Sequence, residues 1–380
     1  MSLLATMALL FCAPALAASA PVTPAPPSPP PPAAARFQAV FFNIGEPAPF
    51  WDVFSKVALA AAARLDIDLE VLNAGGDHLR MIEQAREVAA RRVKPAYALI
   101  NNEKGAAGRM LEALAGAGIP TLLIMSVFDE ADQRRYGRPR EKLPAFLGTL
   151  RPDNTAAGSA VAQALLEAAR GRFPTPVRML AISGAKATQA ASDRDQGLRK
   201  AVAASPGVVL QQLVHSAWRR DKAHRQLAGL LRRWPETKLI WAANDPMALG
   251  ALDALRERGQ EPGRDVLVAS INLSTEALQL VQAGQLVASV GGHFLGGAWA
   301  LVLLRDHFDG LDFAGEGLEQ QFPMGVIDRA GVGEYLAELG DQRWERIDFA
   351  RFSRSRNRAL TRHEFTLGGV LEQLRAKAHP

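Results

Sequence analysis

From Phe37 onward the chain alternates short apolar runs with longer amphipathic segments. The runs predict strands over 37–44, 69–72, 97–100, 121–125 and 146–149. Between them, apolar positions at helical spacing predict helices over 51–65, 78–92 and 105–117. Asp129 to Pro144 is polar and charged and reads as a surface loop. The same rhythm restarts near residue 150. Helices are predicted over 153–170, 192–204, 219–234, 275–283 and 294–308. Strands are predicted over 178–183, 208–215, 239–242, 266–271, 286–290 and 321–324. Strands alternating with helices of this length imply parallel sheets covered on both faces. The number of units exceeds one doubly wound sheet, so two similar α/β lobes are expected.

One corner concentrates the candidate chemistry. The run Leu239-Ile240-Trp241-Ala242 turns through Ala243-Asn244-Asp245-Pro246 into a helix rich in Ala and Leu. Pro246 suits the first helical position and Asp245 the N-cap. In an open α/β sheet such a corner lies at the carboxyl end of a strand, where ligands bind. Asn244 and Asp245 are therefore placed to meet a polar small molecule, a role compatible with capping.

Other candidates sit at equivalent corners. Phe50 and Trp51 follow the first strand and offer flat apolar faces; one is expected to face ligand and the other the core. Asn101 and Asn102 follow the third strand and carry paired donors and acceptors suited to hydroxyls. Trp218 follows the strand ending at His215 and suits the rim.

Composition adds an address and removes other functions. Residues 1–20 read as a secretory signal, with an apolar stretch from Leu3 to Phe11 and small residues after it. Residues 21–36 read as a stiff tether, with eight prolines between 21 and 35. Cys12 is the only cysteine and leaves with the signal, so no thiol chemistry is expected in the mature protein. No later apolar run reaches the roughly 18 residues of a membrane span. The net charge of +5 is spread along the chain, and nucleic acid is not expected as a partner of an exported protein. Basic excess is densest in 351–377, within a C-terminal extension (341–380) that reads as a solvated tail or docking face. Nucleotide-binding, nucleophile-elbow and metal-ligating spacings are absent, so neither enzyme chemistry, metal nor cofactor is expected.

Several stretches occur in a telling order. They are Phe50-Trp51; Leu147-Gly148-Thr149 followed by Asp153-Asn154; Ser192 to Gly197 with Arg194 inside it; Asn244 to Gly250; and Glu276-Ala277-Leu278 with Gly284-Gln285-Leu286. With them the chain resembles a type I periplasmic binding protein of the ribose-binding class from about Phe37 to Arg329. The resemblance implies two doubly wound parallel-sheet lobes joined by three crossing strands. It implies lobe one over 37–150 plus 273–291, and lobe two over 151–272 plus 292–340. It places Asp153 at the first crossing and Arg194 as a guanidinium fork for ring oxygens. Asn272 and Gly291-Gly292-His293 depart from the pattern: many sugar binders place Asp at the second crossing and Gln at the third. His293 would add pH sensitivity near neutrality. The function implied is an exported, monomeric, periplasmic protein that captures a sugar or polyol and delivers it to an ABC transporter permease. The alternative is a periplasmic sensor, for a sugar or an autoinducer-2-like furanose, that signals to a membrane receptor kinase.

Overall fold

The computed structural model describes residues 35–45 and 49–378. The expected signal, most of the tether and Cys12 lie outside the described residues. Two six-stranded sheets organise the rest. The first contains β1 (Phe37–Asn43), β2 (Ile67–Asn73), β3 (Tyr97–Ile100), β4 (Thr121–Ile124) and β5 (Phe146–Pro152). The second contains β6 (Val177–Ser183), β7 (Val208–His215), β8 (Leu239–Ala242), β9 (Leu267–Ile271) and β10 (Ala288–Gly291). Two late strands are divided between them. β11 (Glu319–Phe322) joins the first sheet and β12 (Gly325–Asp328) the second. The orders are β11-β5-β4-β3-β1-β2 and β12-β10-β9-β8-β6-β7. Every pairing is parallel except β10 with β12. Central strands such as β3, β4, β8 and β9 are buried on both faces, which explains their unbroken apolar sequence.

The two-lobe α/β fold matches the expectation, but the lobe boundaries after residue 272 are exchanged. Residues 273–291 belong to lobe two: Ser289 of β10 pairs with Ser270 of β9. The chain then returns to lobe one. Helix Gly296–Phe308 packs there, and a Cβ on Gly297 would meet the Phe54 ring at 2.7 Å. Crossings therefore fall at Pro152–Asn154, at Gly292–Leu295 and between β11 and β12. Nothing in an apolar run names the sheet it enters, so composition left this undecided. The expected loop over 129–144 contains a short helix, Glu130–Tyr136, capped by Asp129.

The C-terminal extension is not a solvated tail. Trp299 is enclosed by Phe349, Phe352 and Phe365, with ring centroids at 6.0, 4.8 and 5.0 Å. Helix Leu367–Ala378 sets Leu367 against Gly292 and Gly325, at the second and third crossings; a Cβ on either glycine would meet that side chain within 3.2 Å. Its basic residues find acids on the body: Arg354 pairs with Glu316, Arg356 with Asp66 and Arg375 with Glu334. Beneath them His363 bridges Asp306 at 2.8 Å and Glu316 at 2.9 Å. Asp306 also accepts from Ser353 Oγ and from the backbone N–H groups of Arg354 and Ser355. Burial alone would raise the Asp306 carboxyl. The hydrogen bonds from His363, Ser353 and Ser355 outweigh it and hold the group at about 2.

Candidate functional site

The carboxyl ends of both sheets face one cleft of about 1860 Å³. It is lined by the loops after β1, β3, β4, β6, β7, β8, β9 and β10, as expected of doubly wound sheets. Phe50, Trp51, Asn101, Asn102, Arg194, Trp218, Asn244, Asn272 and His293 all line it. Asp153 and Asp245 do not.

Arg194 is buried at the lobe-two wall. Helices Asn154–Ala169 and Gln189–Ala203 cross closely there because Gly158 and Gly197 carry no side chain. A Cβ on Gly158 would lie 2.1 Å from the Arg194 carbonyl oxygen, and one on Gly197 2.0 Å from that of Thr155. This approach lets Arg194 Nε donate to Asn154 Oδ1 at 2.9 Å. Nη1 donates to the Ala243 carbonyl at 2.6 Å, and the guanidinium sits 5.5 Å from the Trp218 ring centroid. Burial lowers the Arg194 pKa to about 10, opposed by the charges of Asp245 and Asp193, so the group stays cationic. Nη2 stands 3.5 Å from His293 Nε2. Arginine only donates, so Nε2 is the acceptor and Nδ1 carries the proton. His293 Nδ1 is buried without a partner among the described residues. Burial, reinforced by the Arg194 charge, holds its pKa well below the usual imidazole value. His293 is therefore neutral near pH 7, and the expected switch near neutrality is corrected.

Phe50 stacks on His293 at 4.7 Å, and Trp51 meets Phe50 edge-on at 5.3 Å. Both rings are half-buried and both line the cleft, so the division into one core and one ligand-facing ring does not hold. Asn101 is buried, and neither its oxygen nor its amide nitrogen has a partner among the described residues. Asn102 is engaged, accepting from Ala107 N–H at 3.2 Å. Beside it burial raises the carboxyls of two further lining residues, Glu103, which follows Asn102 in the same stretch, and Asp132, which falls in the segment expected to be a surface loop.

Two expected ligand contacts are structural instead. Asp153 caps its helix, accepting from Ala156 N–H at 2.8 Å. Asp245 is fully buried and fastens lobe two: it accepts from Ser270 Oγ, from Ser289 Oγ at 2.9 Å and from Ser274 N–H at 2.7 Å. The N-cap is Asn244, not Asp245. Its Oδ1 accepts from Met247 N–H at 2.9 Å, and its Nδ2 donates to the Trp218 carbonyl at 3.2 Å. That bond helps hold Ala217 and Trp218 at φ of 53° and 66°. Across the cleft wall Asn272 and Leu273 also have positive φ, at 148° and 63°. Such conformations cost roughly 1–3 kcal/mol each and concentrate at functional sites. Tyr335 and Trp344 complete the hinge side; only placement in the fold reveals them, since they lie beyond the region of resemblance.

The family model for the periplasmic binding protein domain matches residues 39–311. The chain belongs to the periplasmic binding protein family. A solved relative, a periplasmic sugar-binding protein from Pseudomonas fluorescens, is 36% identical, covers 89% of this chain and 99% of its own, and superposes with a TM-score of 0.78. The galactofuranose-binding protein YtfQ of Escherichia coli is 23% identical over 66% of this chain and 75% of its own. The ribose import binding protein RbsB of Salmonella typhimurium is 25% identical over 64% of this chain and 74% of its own. By name these relatives are binding proteins, and the chain is a type I periplasmic binding protein, not an enzyme. Among the described residues no helix is long and apolar enough to cross a membrane, and no cluster of His, Cys, Asp or Glu is arranged to hold a metal ion.

Proposed function

We propose that this periplasmic binding protein is exported, captures a sugar or sugar-like polyol in the interlobe cleft and delivers it to an ABC permease. The observation that carries the reading is the set of buried polar groups on both cleft walls with unused hydrogen-bonding capacity. Asn101 on lobe one offers a donor and an acceptor; His293 Nδ1–H and Arg194 offer donors from the hinge and lobe two. A buried polar group without a partner costs roughly 1–3 kcal/mol, which a ligand hydroxyl recovers. Phe50, Trp51 and Trp218 supply apolar ring faces beside those groups. Closure of the lobes by hinge motion removes the ligand from water. The names of the relatives, galactofuranose and ribose binders, agree with a small sugar ring.

Calorimetric titration of the protein with pentoses, hexoses in both ring forms and polyols tests this. Binding of one such ligand that is lost in Arg194→Ala and in Asn101→Ala is expected. Absence of binding across the panel refutes the reading.

A further inference from the structure

A second cavity lies on lobe two and shares no lining residue with the cleft. It has a volume of about 660 Å³ and is lined by four arginines drawn from separate places in the chain. Arg172 follows helix Asn154–Ala169, Arg256 belongs to helix Asp245–Glu257, Arg264 precedes β9, and Arg329 follows β12. Its floor is made where two loops touch. Gly263, at φ of 82°, sits so near residue 284 that a Cβ would come within 1.9 Å of the Gly284 carbonyl oxygen. Only glycine permits that contact, and it brings the four arginines around one space.

Their charges are unequally compensated. Arg264 is neutralised by Glu261 and Asp265. Arg256 lies 3.8 Å from Asp253, a carboxylate it shares with Arg220. Arg172 Nη2 donates to two backbone carbonyls, Gly263 at 2.6 Å and Arg264 at 3.1 Å, so its orientation is fixed while its charge has no carboxylate partner among the described residues. Arg329 forms no hydrogen bond or ion pair among the described residues; its Nη1 lies 3.5 Å from a Cβ built on Gly284. All four side chains belong to exposed residues, so an incoming molecule can reach them. Gathering like charges around one cavity raises the local potential, and guanidinium forks match phosphate oxygens two at a time.

We propose that this pocket is an anion site, separate from the cleft, that takes a multiply charged oxyanion of the phosphate class, either free in solution or as a lipid headgroup. Arg172 is the preorganised contact and Arg329 the mobile one. Full-length mature protein is titrated with inorganic pyrophosphate by calorimetry at low ionic strength, and in parallel floated with vesicles of phosphatidylglycerol in phosphatidylcholine against vesicles of phosphatidylcholine alone. The site predicts binding to one of these two probes, weakened about tenfold by Arg172→Gln and by Arg329→Gln, suppressed by added salt, and unchanged in Arg232→Gln, an exposed arginine outside the pocket. Pyrophosphate binding identifies a free anion; capture only by phosphatidylglycerol vesicles identifies a headgroup. Arg329→Gln removes no internal hydrogen bond, so it carries the test if Arg172→Gln disturbs the fold. Binding of neither probe, or binding unaltered in both pocket variants, overturns the proposal. Sugar binding in the cleft is read in the same samples and is expected to be unchanged.

Discussion

Asp245 gives the sharpest separation of a fastening residue from a ligand contact. Replacing it with alanine leaves Ser270 Oγ, Ser289 Oγ and Ser274 N–H without their acceptor inside lobe two. Hydrogen bonds to a charged group contribute about 1.5–3 kcal/mol each, so three represent roughly 5–9 kcal/mol. Burial opposes them: it raises the Asp245 carboxyl pKa, the mark of a charge held away from water. Removing that charge returns part of the loss, and the expected net cost is about 3 kcal/mol. Asp245→Asn keeps one oxygen for the two serine hydroxyls but turns an amide toward Ser274 N–H; it should cost about 1–2 kcal/mol. Urea unfolding followed by tryptophan fluorescence measures both, because the buried Trp241 belongs to the same lobe. Affinity of the folded protein for its best sugar should stay within about twofold, since Asp245 does not line the cleft. An unmoved unfolding midpoint, together with a tenfold loss of sugar affinity, would refute the reasoning and return Asp245 to the site.

Four further predictions follow from the same geometry. Asp306, held at about 2 against an ordinary value near 3.8, contributes stability that is complete above about pH 4 and lost as pH falls through about 2. After allowance for solvent screening this is about 1–2 kcal/mol, and acid unfolding of Asp306→Asn should lack that component. Truncation after Gly340 strips the aromatic cover from Trp299 and should lower the melting temperature by at least 5 °C or so in calorimetry, as a loss of roughly 3–5 kcal/mol implies; an unchanged melting temperature would return the extension to a solvated tail. Gly158→Ala forces apart the helices that seat Arg194, and should cost about 1–3 kcal/mol and weaken sugar binding together. Sugar affinity should be flat between about pH 7 and 8, because burial and the Arg194 charge lower the His293 pKa and keep the ring neutral there; a change of tenfold in that range contradicts a neutral His293.

The strands and long helices were legible because each obeys one local rule, apolar runs for strands buried on both faces and helical spacing for the segments that cover them. Lobe membership after residue 272 was not legible, since nothing in the β10 sequence names its sheet and only its pairing with β9 places it in lobe two. The corner at Asn244 lies on the cleft as expected, but the cap falls to Asn244 and not to Asp245, and Asp245 turns into lobe two and away from the cleft. Pro246 fits the second helical position as readily as the first, and the shift moves the cap to Asn244. Arg194 was found through its motif; its geometry depends on Gly158, 36 positions earlier in the sequence, a contact no local pattern displays. The extension was misread because its arginines dominate the charge count while Phe349, Phe352, Phe365 and Leu367 carry its packing.

The central claim, that the cleft between the lobes holds a sugar through Arg194 and its partners, is tested most directly by a thermal-shift titration across sugars and polyols with the protein and its Arg194→Ala variant. A ligand at 100 times its dissociation constant adds roughly 2.7 kcal/mol to the folded state. The account predicts a concentration-dependent rise in melting temperature for at least one sugar, abolished in Arg194→Ala while that variant remains folded. A sugar that stabilises the variant as strongly as the parent protein would place binding elsewhere and contradict the account.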